Sequence, residues 1–89
     1  MGNVISSSRE LAASFDAKLN DEILAAHERD DRNALVELYR QAADREESRA
    51  DLDGMCFFLT YAWIFALEMD HDLQEELCAR LRAHGRVDE

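Results

Sequence analysis

The side chains that could hold a metal ion or act as a nucleophile are two cysteines and three histidines. They are Cys56, Cys78, His27, His71 and His84. Structural zinc sites draw their ligands from close pairs such as C-x-x-C or H-x-x-x-H, and neither spacing occurs in this sequence. A nucleophilic cysteine needs a histidine base in a polar cleft, whereas Cys56 lies in a strongly apolar run. The sequence therefore predicts no catalytic residue, no metal and no cofactor.

Two acidic motifs have the beginnings of a metal site. Glu68 and His71 show the i, i+3 spacing of di-iron ligands in helix bundles, but such a site needs a second Glu-x-x-His pair. Asp51 and Asp53 start like a calcium loop, yet the remaining oxygen ligands do not follow at loop spacing. Both motifs are more typical of helix ends. A small metal- or thiol-dependent enzyme in a helix-bundle core stays as the alternative function.

The first six residues, MGNVIS, match the pattern for N-myristoylation, with Gly2 as acceptor and Ser6 as the small hydroxyl residue. An N-terminally lipidated regulator is therefore a further alternative. We expect residues 1–6 and the tail 87–89 to be disordered, and residues 7–86 to form a single helical domain.

The formal charge indicates the class of partner, and the number of cysteines indicates the cellular compartment. Twenty acidic residues against ten basic ones give a formal charge of −10, which disfavours nucleic acid and anionic membranes. Two cysteines are far too few for a disulfide scaffold, so a reducing cytoplasm is expected. All basic residues except Lys18 are arginine, a bias typical of GC-rich bacterial genomes.

The elements that position these residues are predicted to be helices. The chain has no proline and three glycines, and apolar residues recur every three or four positions. Residues 7–29 form one helix or two, and Asp30 and Asp31 supply a turn and the cap of the next helix, which fades at residues 47–49. Asp51 or Asp53 caps a third helix. A fourth starts around residues 70–72 and stops at Gly85.

The third helix contains the most apolar run, residues 55–67, which falls short of the ~20 residues that span a bilayer. Its apolar residues cover nearly the whole circumference, so more than one face must be buried and this helix is central. Any aromatic residue left exposed would anchor a partner. The candidate partner-binding residues are Phe57, Phe58, Tyr61, Trp63 and Phe65.

The two halves of the chain look like copies of one helix-turn-helix unit. At an offset of 40 residues, Ala26 aligns with Ala66 and Asp30 with Asp70. The motifs ILAAHERDD from Ile23 and WIFALEMDHD from Trp63 resemble the helix, turn and helix of the tetratricopeptide repeat family. The resemblance covers roughly residues 17–84 and implies a binding scaffold that holds a peptide or partner helix.

We therefore expect an all-α fold in which two antiparallel helix-turn-helix units pack as a tetratricopeptide-like array or a four-helix bundle. The expected function is a non-enzymatic protein–protein interaction module, a small acidic adaptor or accessory subunit. It would bind a protein partner or self-associate as a homodimer, with no nucleic acid and no membrane span.

Overall fold

The computed structural model describes residues 7–86, with side chains described from residue 16 onward. It contains four α-helices: α1 (Ser7–Arg29), α2 (Arg32–Ser48), α3 (Leu52–Met69) and α4 (Gln74–Ala83). No strand occurs in this range, so the predicted all-α fold is confirmed. The backbone of α1 is one continuous helix rather than two. The predictions for residues 1–6, for Gly2 and for residues 87–89 lie outside the described residues.

Aspartates begin two of the helices, as the sequence predicts. The carboxylate of Asp31 accepts a hydrogen bond from the amide of Ala34 at 3.2 Å, and that of Asp51 accepts from Gly54 at 3.0 Å. These bonds satisfy amide groups that have no partner within their own helix. A Cβ atom at position 54 would lie 2.5 Å from the Asp51 carboxylate, which would have to move away from its capping position.

The start of α4 differs from the prediction. This helix begins at Gln74, later than the expected start around residues 70–72, and no side chain caps it. Instead, the amide of Leu73 donates to Nδ1 of His71 at 3.1 Å. The His71 imidazole therefore accepts a backbone amide in the turn that precedes α4.

All four helices end in the same way. After each, a residue with positive φ turns the chain, and the next amide donates to a carbonyl five residues earlier. The left-handed residues are Asp30, Ala50, Asp70 and Gly85. Only the last is glycine, which confirms the predicted stop of α4, while the other three turns carry the steric cost of a Cβ in the left-handed region.

Ala50 offers a direct test of that cost. It has φ 61°, and aspartate's local hydrogen bonding is not available to it. We expect Ala50→Gly to stabilise the protein by about 0.5 to 1 kcal/mol, because the relief of left-handed strain exceeds the extra entropy of glycine. Urea denaturation measures the change. The matched control Ala79→Gly, at an exposed position within α4, is expected to destabilise by about 1 kcal/mol.

Consecutive helices pack side by side in antiparallel order. Close backbone contacts within the described residues join only α1 with α2, α2 with α3, and α3 with α4. A closed four-helix bundle would also bring α1 against α4. The four packed helices are therefore arranged in a repeat-like order, in which α2 and α3 are the inner helices.

The core lies mainly where α2, α3 and α4 meet. Its buried residues are Val36, Ala43, Met55, Cys56, Leu59, Ala62, Ala66, Leu77 and Leu81. From residue 16 onward, the buried apolar residues of α1 are Leu19 and Ala26, and Leu35 and Ala42 are buried on α2. Cys56 is thus a small core residue.

The two helix ends that the alignment pairs have similar structures. Asp30 and Asp70 both adopt the left-handed conformation, and Ala26 and Ala66 are both fully buried. In each turn the carbonyl of this alanine accepts the closing hydrogen bond. The second helices of the two units are less alike, because α2 has 17 residues and α4 has 10.

Candidate partner-binding face

One face of α3 is apolar and open to solvent. Phe57 is 56% exposed, Tyr61 41%, Ile64 43% and Leu67 51%. The four residues follow one another at spacings of three or four, so they lie along one side of the helix. We call this set the α3 stripe. An uninterrupted row of large exposed apolar side chains is typical of an interaction surface rather than of free solvent-facing helix.

The opposite face of α3 is the one that the rest of the protein covers. Its buried residues, Met55, Cys56, Leu59, Ala62 and Ala66, pack in the core.

Only 28% of the 18-residue helix α3 is buried, and its mean hydropathy is 1.3. By length and composition alone α3 could cross a membrane, which the shorter apolar run of residues 55–67 does not predict. The core helix of a globular protein passes the same test.

The five candidate aromatic residues divide between these faces. Phe57 and Tyr61 belong to the α3 stripe, whereas Phe58, Trp63 and Phe65 are half-buried and pack against the core. Choosing candidate residues by aromatic type alone misses Ile64 and Leu67. Their spacing from Phe57 and Tyr61 is the signal in the sequence that places them on the same face.

Tyr39 of α2 is the centre of an aromatic cluster beside the stripe. Its ring stacks on those of Phe58, Tyr61 and Phe65 at centroid distances of 6.1, 5.5 and 6.0 Å. Its hydroxyl group lies 2.9 Å from Nε2 of His27. Burial raises the pKa of the Tyr39 phenol, so it stays neutral near pH 7 and is held as a hydrogen-bonding group.

His27 connects α1 with this aromatic cluster. Its ring meets Phe65 edge-on at 6.0 Å, so this side of α1 turns towards α3. Leu24, one helical turn before His27, is 61% exposed. Asp21 and Glu28 lie on the same side of α1 as Leu24 at spacings of three and four residues. Beside His27, α1 thus carries an exposed apolar side chain with two acidic residues on the same side of the helix.

A polar cluster joins the other end of α1 to α2. Arg45 is only 13% exposed and contacts the carboxylates of Asp16 at 3.5 Å and Glu46 at 2.9 Å. Its guanidinium carbon also lies 5.6 Å above the Phe58 ring. Arg49 binds the same two carboxylates. One arginine therefore connects α1, α2 and α3 and satisfies the buried Glu46.

Asp16 makes the acid stability of the protein testable. A hydrogen bond from Arg49, with the charges of Arg49 and Arg45, lowers the pKa of Asp16 below its ordinary value of 3.8. The ion pairs therefore stabilise the fold fully above that pH, and their contribution is lost as the pH falls through the lowered folded value. Asp16→Asn should lower the urea midpoint at pH 6 and match the wild type at strongly acidic pH. The control Asp21→Asn should show no such pH-dependent difference.

Most arginines of the described region form ion pairs with the protein's own carboxylates. The ion pairs are Arg29 with Asp31, Arg32 with Asp30 and Glu68, Arg40 with Glu76, Arg80 with Asp44 and Glu47, and Arg86 with Asp53. Asp21 and Glu28 have no ion pair within residues 16–86. With a formal charge of −10, the surface keeps an excess of unpaired acid.

The residues considered for metal binding are not brought together. Across the described residues no group of three or more histidine, cysteine, aspartate or glutamate side chains is arranged to hold a metal ion. Cys56 is buried in α3, and Cys78 is half-buried in α4, where it accepts a hydrogen bond from Arg82. His71 accepts a hydrogen bond from the amide of Leu73 in the turn before α4.

An open groove of about 710 Å³ lies between α1 and α2, away from the stripe. Its polar lining consists of Glu22, Arg29, Asp31, Asn33, Glu37 and Gln41. These residues include no activated nucleophile, and Arg29 is paired with Asp31.

Comparison of the chain with protein-family models, curated proteins and solved structures found no match. The exposed apolar face of α3, with the side of α1 that carries Leu24, is therefore the candidate functional site on geometry alone.

Proposed function

We propose that this protein is a non-enzymatic interaction module that docks a protein partner through the α3 stripe. The observation that carries the proposal is the row of four large apolar side chains exposed on one face of an inner helix. Leaving such a row in water forgoes about 25 cal/mol for each Å² of apolar surface that a partner would bury. Burial of these side chains gives a partner its binding free energy.

The shape of the array supports the same proposal. α3 is held firmly on its buried face by the core, so the stripe is presented on a rigid element and loses little entropy on binding. Phe57 and Tyr61 are aromatic residues of the kind that dominate binding free energy at protein interfaces. Leu24 adds an exposed apolar side chain on a second helix.

Capture of partners from the native host by the tagged full chain tests the proposal. The double variant Phe57→Ser with Ile64→Ser changes only exposed side chains, so we expect it to fold and to recover the main partner at least about tenfold less than the wild type. The matched control Glu75→Ser with Ala79→Ser alters exposed positions on α4 and should leave recovery unchanged. Equal recovery by wild type and stripe variant would refute the proposal.

A further inference from the structure

We infer that the partner segment docked on the α3 stripe is an amphipathic helix with lysine or arginine beside its apolar face. This inference rests on the proposed function and adds the chemical class of the partner. It follows from the shape of the exposed surface and from the charges around it.

The shape favours a helix as the occupant. α1 and α3 run in the same direction on either side of α2, because each is antiparallel to it. Asp16, in the middle of α1, meets Arg49 just after the end of α2, whereas Arg32 at the start of α2 meets Glu68 late in α3. The exposed ridge formed by Phe57, Tyr61 and Ile64 has the spacing that packs into the grooves of another helix. No strand edge exists within residues 7–86 to pair with an extended peptide.

The charges favour a basic partner. Asp53 precedes Phe57 by one helical turn, and Glu68 follows Ile64 by one turn, so the stripe has a carboxylate at each end. The side chain of Asp53 is 90% exposed and that of Glu68 46%. On α1, Asp21 and Glu28 frame Leu24 in the same way. α3 itself has no lysine or arginine. Arg86 and Arg32 pair with Asp53 and Glu68, so the unpaired carboxylates that cationic side chains of a partner would meet are those of Asp21 and Glu28 on α1.

The same charges disfavour two other occupants. A second copy of this chain would bring two sets of acidic side chains together and oppose two formal charges of −10. Helices that lie on membranes carry lysine and arginine on their polar face to meet anionic lipid. α3 has Asp53 and Glu68 in these flanking positions instead.

A display library of random peptides about 20 residues long, enough to form a helix on binding, tests the inference on the full chain. Selection is against the wild type, with counter-selection against Phe57→Ser with Ile64→Ser. We expect enriched peptides to carry leucine, isoleucine or phenylalanine at helical spacing with flanking lysine or arginine. The recovered peptide should lose at least about tenfold in affinity when its basic residues are changed to glutamate.

A charge variant of the protein gives the matched measurement. Asp21→Asn with Glu28→Gln should weaken binding of the basic peptide several-fold and reduce its dependence on salt, because surface charge pairs are screened by ions. The same substitutions should leave unfolding by urea nearly unchanged, since neither residue has an ion pair within residues 16–86.

The outcomes separate this inference from the proposed function. Enrichment of acidic, uncharged or extended peptides that still require the stripe would overturn the basic helix and leave the docking function intact. Failure to enrich any stripe-dependent peptide would also overturn the inference. Sedimentation of the wild type, but not of the stripe variant, with phosphatidylcholine vesicles would overturn both, because the occupant of the stripe would then be lipid.

Discussion

Replacing Leu59 by alanine is expected to lower the free energy of unfolding by about 2 to 5 kcal/mol. Leu59 is fully buried on α3 and belongs to the core formed with α2 and α4. Truncation removes apolar contacts and leaves a cavity that a close-packed core fills only in part. For a chain of 89 residues the loss is a large share of a total stability of roughly 4 to 13 kcal/mol. Urea denaturation followed by far-ultraviolet circular dichroism measures it.

Ile64 provides the matched control on the same helix. Its side chain is 43% exposed on the α3 stripe, so Ile64→Ala should cost less than about 1 kcal/mol. The ratio of the two losses in free energy of unfolding shows which face of α3 the core covers. If Ile64→Ala destabilised the protein as much as Leu59→Ala, the stripe would be a buried surface and the assignment of the two faces would be wrong.

The second large effect is expected at Arg45. Arg45→Ala should cost about 2 to 3 kcal/mol, because it removes charge-assisted hydrogen bonds to groups that are largely shielded from water. Glu46, whose side chain is 12% exposed, would keep only its longer contact with Arg49 at 3.5 Å. The packing of the guanidinium group over Phe58 would be lost as well. Thermal and urea unfolding both give the size of the change.

Two variants separate burial from charge in this result. Arg40 makes an ion pair with Glu76 on the surface, where the two side chains are 35% and 47% exposed, so Arg40→Ala should cost less than about 1 kcal/mol. Arg45→Lys keeps the charge and loses the planar fork that reaches two carboxylates. It should lie between the wild type and Arg45→Ala. Equal costs at Arg40 and Arg45 would contradict a cluster stabilised by burial.

Much of the fold could be predicted because local chemistry decides it. Helix formers without proline, aspartates before helices and Gly85 after the last one all act within one turn of the chain. The end of α2 at Ser48 falls where the apolar periodicity fades. The left-handed conformation of Ala50 could not be predicted, because alanine is the strongest helix former. Only the turn between α2 and α3 requires a positive φ at this residue.

The candidate site was predicted less completely. A helix that is apolar almost all round does not reveal which face its neighbours cover, so the sequence could not separate exposed Phe57 from half-buried Trp63. That choice depends on the positions of α2 and α4, which the periodicity of α3 does not contain. Likewise, the contact of His27 with Tyr39 joins residues twelve positions apart on different helices. Long-range packing, rather than a motif, produces the aromatic cluster.

Site-specific photo-crosslinking in the native host tests the central claim most directly. The photoreactive residue p-benzoylphenylalanine is placed at position 64 on the α3 stripe or at position 79, which is exposed on α4. We predict a discrete cross-linked protein from position 64 that is absent from position 79 and is lost when Phe57→Ser is added. No protein adduct from position 64, or the same adducts from both positions, would contradict docking through the exposed face of α3.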